Sequence, residues 1–199
     1  MIRSNLREIK NKEEIMLDRL IDRLKRDETN WVRFQHLFVE KDIAAKTILL
    51  NEGEISKNLY FIKTGCLRLW FNNDGKDITL QFFFEGQAVA SIDSFLGSHP
   101  SMFTIESIEP SSIISISKDS FEQLLSYYPD LKEGLQEITY KRFRDYALLF
   151  LSRIKDNPRK LYEDLLKNHP EIIKRVPQHY IASYLGITPI SLSRIRNRK

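Results

Sequence analysis

The chain has 199 residues, of which 42% are hydrophobic and 29% are charged. This balance is typical of a globular protein with a buried core, in one large domain or two small ones, and excludes a disordered chain. No run approaches the ~18 apolar residues of a membrane helix. The first residues lead into a charged segment and not into a secretory signal, so we expect a cytoplasmic protein. The single cysteine, Cys66, excludes an internal disulfide and a cysteine-only metal site.

Charge is distributed unevenly along the chain. Residues 141–199 contain 14 Lys or Arg and 5 Asp or Glu, a net charge of +9, whereas residues 1–140 contain 17 and 22, a net charge of −5. From Val176 to the C-terminus there are four basic residues and no acidic one. A basic C-terminal part on an acidic body indicates a polyanionic partner, although charge alone fits a solvated basic face equally well.

Glycines divide the middle of the chain into short segments. Five of the seven recur at intervals of 10 to 12 residues, at Gly53, Gly65, Gly75, Gly86 and Gly97. Turn residues at this spacing, separated by short apolar or alternating runs, are typical of a small β-sandwich or barrel. The predicted strands are 47–50, 59–62, 67–71, 78–82 and 113–116. Between two of them, Asn73-Asp74-Gly75 favours a hairpin turn.

Helical patterns flank these strands on both sides. Between Glu13 and Arg26 an amphipathic stripe contains Ile15, Leu17, Leu20, Ile21 and Leu24. A second helix is predicted from Asp130 to about Lys155, because this stretch contains no proline and one glycine. It would be ~38 Å long, more than a compact body of this size requires. Asp156-Asn157-Pro158 ends it and marks a domain boundary.

The long helix has two apolar faces. One carries Leu131, Leu135, Ile138, Arg142, Asp145 and Leu149, close to a 3.5-residue repeat, and the other carries Tyr140, Phe143, Tyr146, Ala147, Phe150 and Ile154. We expect the chain to dimerise along Leu131–Leu149, through Leu131, Leu135, Ile138 and Leu149, while Tyr146 and Ala147 face the barrel. A helix that wraps a single large core is the alternative, since the repeat covers only about three heptads.

The C-terminal segment has the pattern of two short helices joined by a tight turn. Ile181 and Leu185 share one helix face, and Gly186 can end that helix in the left-handed conformation. Thr188-Pro189 is a typical helix start, with a side-chain cap followed by proline. Leu192 and Ile195 return the second helix to the first.

The outward face of this second helix carries side chains that can read DNA. Arginine can bridge guanine O6 and N7, asparagine can pair with adenine, and isoleucine can contact a thymine methyl group. These are the properties of a helix-turn-helix with its recognition helix at Thr188–Asn197. A plain helical hairpin would leave the absence of acidic residues unexplained. The residues predicted to contact DNA are Gln178, Thr188, Ile190, Ser191, Ser193, Arg194, Arg196, Asn197, Arg198 and Lys199.

This order of elements resembles the cyclic-AMP receptor/fumarate-nitrate regulator (Crp/Fnr) family. The matching residues run through Asn51–Glu54, Asn58–Gly65, Phe84–Gln87 and Ala182–Thr188. The resemblance implies an α+β protein in three parts: N-terminal helices with a jelly-roll, cyclic-nucleotide-binding-like barrel (1–129), a long dimerisation helix (130–156) and a helix-turn-helix (157–199). It also implies a homodimeric transcription regulator whose partners are double-stranded DNA, a small-molecule effector and RNA polymerase.

Two departures from the family pattern are visible. Members that bind cyclic nucleotides hold the cyclic phosphate with a glutamate and an arginine, and the corresponding positions here are Ser91 and Ser101. Serine offers a hydroxyl but no positive charge for a buried anion, so we expect an effector other than cyclic AMP. The pocket residues on this interpretation are Gly86, Ser91, Ser101, Thr104, Arg68 and Tyr146. The family usually adds a β-hairpin after the recognition helix, whereas only four residues follow Ile195 here, so we expect the terminal Arg and Lys residues to supply the phosphate contacts.

Other functions are less well supported by the residues. No nucleophile–base constellation or phosphate-binding glycine loop is present, and the four histidines lack ligand-like spacing, so we expect neither an enzyme nor a metal or cofactor site. Cys66 is expected to be a packed thiol. Two alternatives stay open: a constitutive DNA binder whose barrel is only a scaffold, and a regulatory module whose C-terminal hairpin binds a protein.

Overall fold

The computed structural model describes residues 20–197. Residues 20–25 are helical and form the described part of the predicted N-terminal helix, of which Ile15 and Leu17 lie outside the described residues. The strands are β1 (Val39–Ile43), β2 (Ile48–Leu50), β3 (Asn58–Thr64), β4 (Leu67–Asn73), β5 (Lys76–Phe83), β6 (Ala88–Val89), β7 (Thr104–Ser107) and β8 (Ser111–Ser117). The predicted strands are all present, and β1, β6 and β7 were not predicted.

Helices precede, interrupt and follow the strands. They are α1 (Glu28–Phe34), a 3-10 turn (Gln35–Leu37), α2 (Ile92–Gly97), α3 (Lys118–Tyr127), α4 (Leu131–Lys155), α5 (Pro158–Asn168), α6 (Pro170–Arg175), α7 (Gln178–Leu185) and α8 (Pro189–Asn197). The predicted fold class, an α+β jelly roll followed by a long helix and short C-terminal helices, is therefore confirmed. The break between α4 and α5 also lies where it was predicted, because Asn157 caps α5 through the Lys160 N–H at 3.0 Å.

Two antiparallel sheets form the barrel. The first sheet has the strand order β1-β8-β3-β6 and the second has β2-β7-β4-β5. Between β4 and β5 the predicted hairpin is present: Asn73 pairs with Lys76, and both turn residues have positive φ, +50° at Asp74 and +81° at Gly75. This is the conformation that a two-residue turn between twisted strands favours.

Alternation along the strands produces three hydrophobic clusters. Side chains between the sheets form the barrel interior, which includes Tyr60 and Ile62 of β3. Their neighbours Leu59 and Phe61 point outward and are covered by helices 20–25, α1 and α3. On the outer face of the second sheet, buried side chains pack against α5, α6, α7 and α8; the barrel residues in this third cluster are Cys66, Phe82 and Phe84. The C-terminal helices are therefore docked on the barrel.

The two faces of α4 are reversed relative to the prediction. Leu131 packs against the cluster outside the first sheet, Leu135 lines a small apolar cavity beside Phe61, and Ile138 and Leu149 are half-buried. The set predicted for dimerisation therefore faces the chain's own body. Residues of the aromatic set are exposed instead, at 73% for Tyr140 and Phe143, 65% for Phe150 and 67% for Ile154, and Ala147 is also exposed. Sequence periodicity finds both faces but cannot tell which one the barrel covers.

Two turn glycines allow a matched stability test. A Cβ at Gly65 (φ +106°) would lie 2.8 Å from the Ser111 Cα, whereas a Cβ at Gly75 (φ +81°) would meet nothing within 4 Å. We expect Gly75→Ala to lower the free energy of unfolding by about 1 kcal/mol, the cost of a left-handed alanine. Gly65→Ala adds a backbone clash, so its loss should be roughly 3 kcal/mol or more. Urea unfolding of both variants checks this, and equal losses would contradict it.

Candidate nucleic-acid interface and effector segment

Helices α7 and α8 are joined by the turn that the sequence predicts. Gly186 ends α7 with φ +69°, and the N–H of Ile187 donates to the carbonyl of Ala182 at 2.9 Å. The Thr188 hydroxyl then accepts a hydrogen bond from the N–H of Ser191 at 3.1 Å, which caps α8. Both ends of the turn are thus satisfied by local hydrogen bonds, and the predicted two-helix unit is present.

Packing between these helices fixes which face of α8 is free. Leu192 is fully buried against the cluster that contains Ile181, Ala182 and Leu185 of α7, and Ile195 is half-buried. The opposite side of α8 is exposed, as its helical phase requires. We call this the α8 outer face; it consists of Ile190, Ser193, Arg194 and Asn197.

Four of the other six residues predicted to contact DNA are among the described residues. Gln178, Thr188 and Arg196 are exposed. Ser191 is half-buried, and its hydroxyl lies 3.0 Å from that of Thr188, so it takes part in the helix cap. Arg198 and Lys199 lie outside the described residues. The exposed apolar side chain of Ile190, at 67%, stands beside Arg194 with no acidic residue on α8.

The predicted effector segment, residues 86–104, is held in place by hydrogen bonds within the segment and to residues outside it. Ser91 and Ser101 are both buried, and the Ser101 Oγ lies 2.8 Å from the Ser91 Oγ and 2.7 Å from the carbonyl oxygen of Phe103. The Gly86 N–H donates to the Ile62 carbonyl at 2.9 Å. The Thr104 hydroxyl accepts from the Glu52 N–H at 3.0 Å. These groups hold the segment to the strands and loops beside it.

Arg68 lies outside the barrel interior, contrary to its assignment to the pocket. Its neighbours Leu67 and Leu69 point inward, so alternation along β4 places Arg68 on the outer face of the second sheet. There it is 2% exposed, its Nε donates to Glu106 at 2.8 Å and its Nη2 to Asp77 at 2.9 Å. Its guanidinium also stacks on an α7 ring, that of Tyr180, at 3.8 Å.

Sequence reasoning missed a cation that reaches the predicted effector segment. Arg142 of α4 donates a hydrogen bond to the carbonyl oxygen of Ala88, and its guanidinium lies 5.3 Å from the Phe83 ring. Arg142 was found by the sequence pattern, but as a member of the dimer face. Tyr146 lies one turn further along α4 and is half-buried. It is close to Tyr184 of α7, whose pKa is raised mainly by burial and to a smaller extent by Tyr146.

A second missed feature is an ion cluster between the barrel and α6. The guanidinium of Arg175 forms two hydrogen bonds to Glu85, at 2.9 and 2.7 Å, and one from its Nε to Glu109 at 3.1 Å. Burial acts to raise the pKa of Glu85, but the hydrogen bonds from Arg175 and from the Gly65 N–H outweigh it and lower the pKa to about 2. The hydrogen bond to Glu85 raises the pKa of Arg175. Residues 85 and 175 are too far apart in sequence for any local pattern to reveal the pair.

The structure shows the surroundings of the single cysteine and of the residues that could bind a metal ion. Cys66 is fully buried in the third cluster, and burial raises the pKa of its thiol, so the predicted packed thiol is confirmed. In the part of the chain from 20 to 197, no three His, Cys, Asp or Glu residues are grouped to hold a metal ion. Within the same range, no helix is both long enough and apolar enough to span a bilayer.

Comparison with known proteins identifies the barrel and the fold. Residues 40–128 match the cyclic nucleotide-binding domain family. Solved structures with the same fold include FixK2 from Bradyrhizobium japonicum (20% identity, TM-score 0.67, 81% of this chain and 83% of that one). They also include the c-di-GMP responsive global regulator CLP from Xanthomonas campestris (20%, 0.66, 85% and 89%) and a CooA mutant from Carboxydothermus hydrogenoformans (17%, 0.64, 81% and 76%). The predicted resemblance is therefore confirmed at the level of the fold, and the three structures show that this fold extends beyond the barrel.

One curated protein is similar over part of the chain. Patatin-like phospholipase domain-containing protein 7 of Mus musculus is 26% identical over 107 residues, which are 53% of this chain and 8% of that protein. The chain thus spans less than a tenth of that relative's length.

Proposed function

We propose that this chain is a homodimeric, sequence-specific DNA-binding transcription regulator, with a barrel that senses an effector other than cyclic AMP. The observation that carries the proposal is the α8 outer face, where Arg194, Asn197 and Ile190 are exposed on a helix that Leu192 anchors to α7. A helix of this kind, crossing a second helix after a tight turn, is the unit that enters the DNA major groove in helix-turn-helix proteins. The similarity to CLP, a global regulator, supports the same conclusion.

Dimerisation is supported by the exposed side of α4. Tyr140, Phe143, Ala147, Phe150 and Ile154 follow a regular 3-4-3-4 spacing, which is the heptad pattern of a coiled coil. Four of these five are large hydrophobic residues exposed by more than 60%, and a contiguous stripe of this kind marks an interaction surface. We call it the α4 seam and propose that it contacts the same seam of a second copy, in place of the face between Leu131 and Leu149.

The effector segment argues against a cyclic phosphate. Ser91 and Ser101, at the positions where the family carries its phosphate-binding pair, are buried and hydrogen-bonded to each other. Burying an anion requires a cation or several donors to replace its water. Among the described residues, two cations contact this segment: Arg142 donates to the Ala88 carbonyl, and Lys118 donates to the Leu96 carbonyl and the Ser98 hydroxyl, away from Ser91 and Ser101. A neutral or weakly polar effector fits this lining better than an anion.

Substitutions at two arginines of α8 separate base reading from phosphate contact. Arg194→Ala should weaken binding to the preferred site by ~1–3 kcal/mol and relax the preference at one base pair, because a bidentate base contact is lost. Arg196→Ala should weaken binding to all sequences alike and reduce the salt slope by about one. Selection from a random duplex pool followed by gel shifts at several salt concentrations measures both. Arg159→Ala, on exposed α5, is the control and should change neither; equal effects of Arg194→Ala on all sequences would refute the base contact.

Charge placed on the α4 seam should separate the two copies. Phe143→Glu puts a carboxylate in the middle of the apolar contact, so the dimer dissociation constant should rise by about a hundredfold or more. Sedimentation velocity of the protein at micromolar concentration measures the change. Val32→Glu is the control, since Val32 is also exposed, at 63%, but belongs to α1. A wild-type monomer, or a Phe143→Glu variant that stays dimeric, would count against the seam.

Calorimetry with cyclic AMP and cyclic GMP tests the effector. We expect no binding tighter than ~10 µM, about −7 kcal/mol, because Ser91 and Ser101 supply no positive charge. Tighter binding would overturn the expectation. In that event Arg142→Gln should abolish it if Arg142 is the cation that replaces the family's arginine.

A further inference from the structure

The C-terminal helices are joined to α4 by a short connection and to the barrel by many contacts. Only residues 156 and 157 separate the end of α4 from the start of α5. Apolar packing of Phe82 and Phe84 against α6 and α7 brings the two parts together. Hydrophobic contact is not directional, so the orientation of the C-terminal helices depends on the polar contacts at this interface.

Arg175 makes the most directional of these contacts. It is the last residue of α6, and its guanidinium is only half-buried, at 31% exposure. It binds Glu85 through two parallel hydrogen bonds and also reaches Glu109, so it bridges the loops that follow β5 and β7. A bidentate arginine–carboxylate pair fixes both distance and angle. Glu85 is itself held to the barrel, because its Oε1 accepts the Gly65 N–H at 2.9 Å.

A second polar contact holds α7 to the free edge of the second sheet. The Ser183 hydroxyl accepts the N–H of Thr79 at 2.8 Å and donates to the carbonyl of Asp77 at 2.5 Å. Both partners belong to β5, the edge strand. The exchange of the Thr79 amide with solvent therefore reports whether α7 is docked.

These contacts connect the α8 outer face to the α4 seam. Leu192 fixes α8 on α7, Arg175 and Ser183 fix α6 and α7 on the barrel, and Arg153 of α4 donates to the Tyr184 carbonyl of α7 at 2.5 Å. In a dimer joined along α4, the position of each α8 relative to the two-fold axis therefore depends on the docked interface. That position sets the distance between the two DNA half-sites.

We infer that Arg175 is a positioning residue for DNA recognition, which sets the half-site spacing through Glu85 and Glu109 without touching DNA. The inference rests on the proposed function, since it requires a dimer that binds two half-sites. Loss of Arg175 leaves two carboxylates of like charge without their cation. The C-terminal helices then keep their fold but lose a fixed orientation on the barrel.

Binding to duplexes of varied spacing tests the inference. The best half-site is first selected with the wild-type protein, and duplexes are then made in which zero to four base pairs are added between the half-sites. Each added base pair rotates one half-site by about 35° relative to the other. We expect the wild-type affinity to fall at least tenfold for one added base pair and that of Arg175→Gln to fall less than threefold. Arg175→Lys, which keeps the charge but not the fork, should lie between them.

Arg159→Gln is the matched control, because Arg159 carries the same side chain on α5 and pairs with Glu163 instead of the barrel. It should show the wild-type spacing profile. If Arg175→Gln also shows that profile, or if Arg159→Gln relaxes it equally, the inference is wrong.

Amide exchange without DNA separates this inference from the proposed function. Residues 77–83 of the dimeric protein should exchange at least tenfold faster in Arg175→Gln than in wild type or Arg159→Gln, while residues 111–117 of β8 stay protected. Unchanged exchange at 77–83 would overturn the inference even if the protein binds DNA. Faster exchange in a protein that binds no DNA would instead refute the proposed function. Should Arg175→Gln fail to fold, as faster exchange at 111–117 would show, wild type and Arg175→Lys are compared in the same way, and equal exchange at 77–83 overturns the inference.

Discussion

The rest of the structure depends on the contact between the outer face of the second sheet and the C-terminal helices. A jelly-roll sheet usually buries one face and exposes the other to water, but here Cys66, Phe82 and Phe84 are buried on the outside as well. Removing a phenylalanine side chain from water contributes about 2 kcal/mol. The C-terminal helices supply the apolar cover that this face requires, so barrel and helices stabilise each other and are not independent parts on a flexible linker.

Polar groups at this contact determine the orientation of the C-terminal helices on the barrel and add little to the stability. The buried Arg68 is neutralised by Glu106 and Asp77 and stacks on Tyr180, and Arg175 is held between two further carboxylates. Ion pairs removed from water gain little net stability, because desolvation offsets the attraction between the charges. They do penalise any arrangement that leaves a charge unpaired. The apolar cluster thus favours docking in general, and the arginines select one docked orientation.

The sequence predicted the features that depend on neighbouring residues and failed on those that depend on distant ones. The turn at Gly75 and the cap at Thr188 follow from conformational preferences within a few residues, and both are present. The position of Arg68 could not be derived from the sequence. Alternation along the strand shows that Arg68 and Leu67 point to opposite faces of the sheet, but not which of these faces is the barrel interior. The same limit reversed the two faces of α4. The pairing of Glu85 with Arg175 joins residues 90 positions apart and exists only once α6 is docked.

Two connections lead from residues 85–88, at the start of the predicted effector segment, to the C-terminal helices. Arg142 donates a hydrogen bond to the Ala88 carbonyl. The same helix, α4, carries Arg153, which donates to the Tyr184 carbonyl of α7. Glu85, three residues before Ala88, accepts hydrogen bonds directly from Arg175 of α6. Because interiors are close-packed, a ligand that displaces residues 85–91 cannot move one of these connections without straining the other. The long helix is then one of two routes, and the direct contact between the barrel and α6 limits how far α8 can turn when α4 moves.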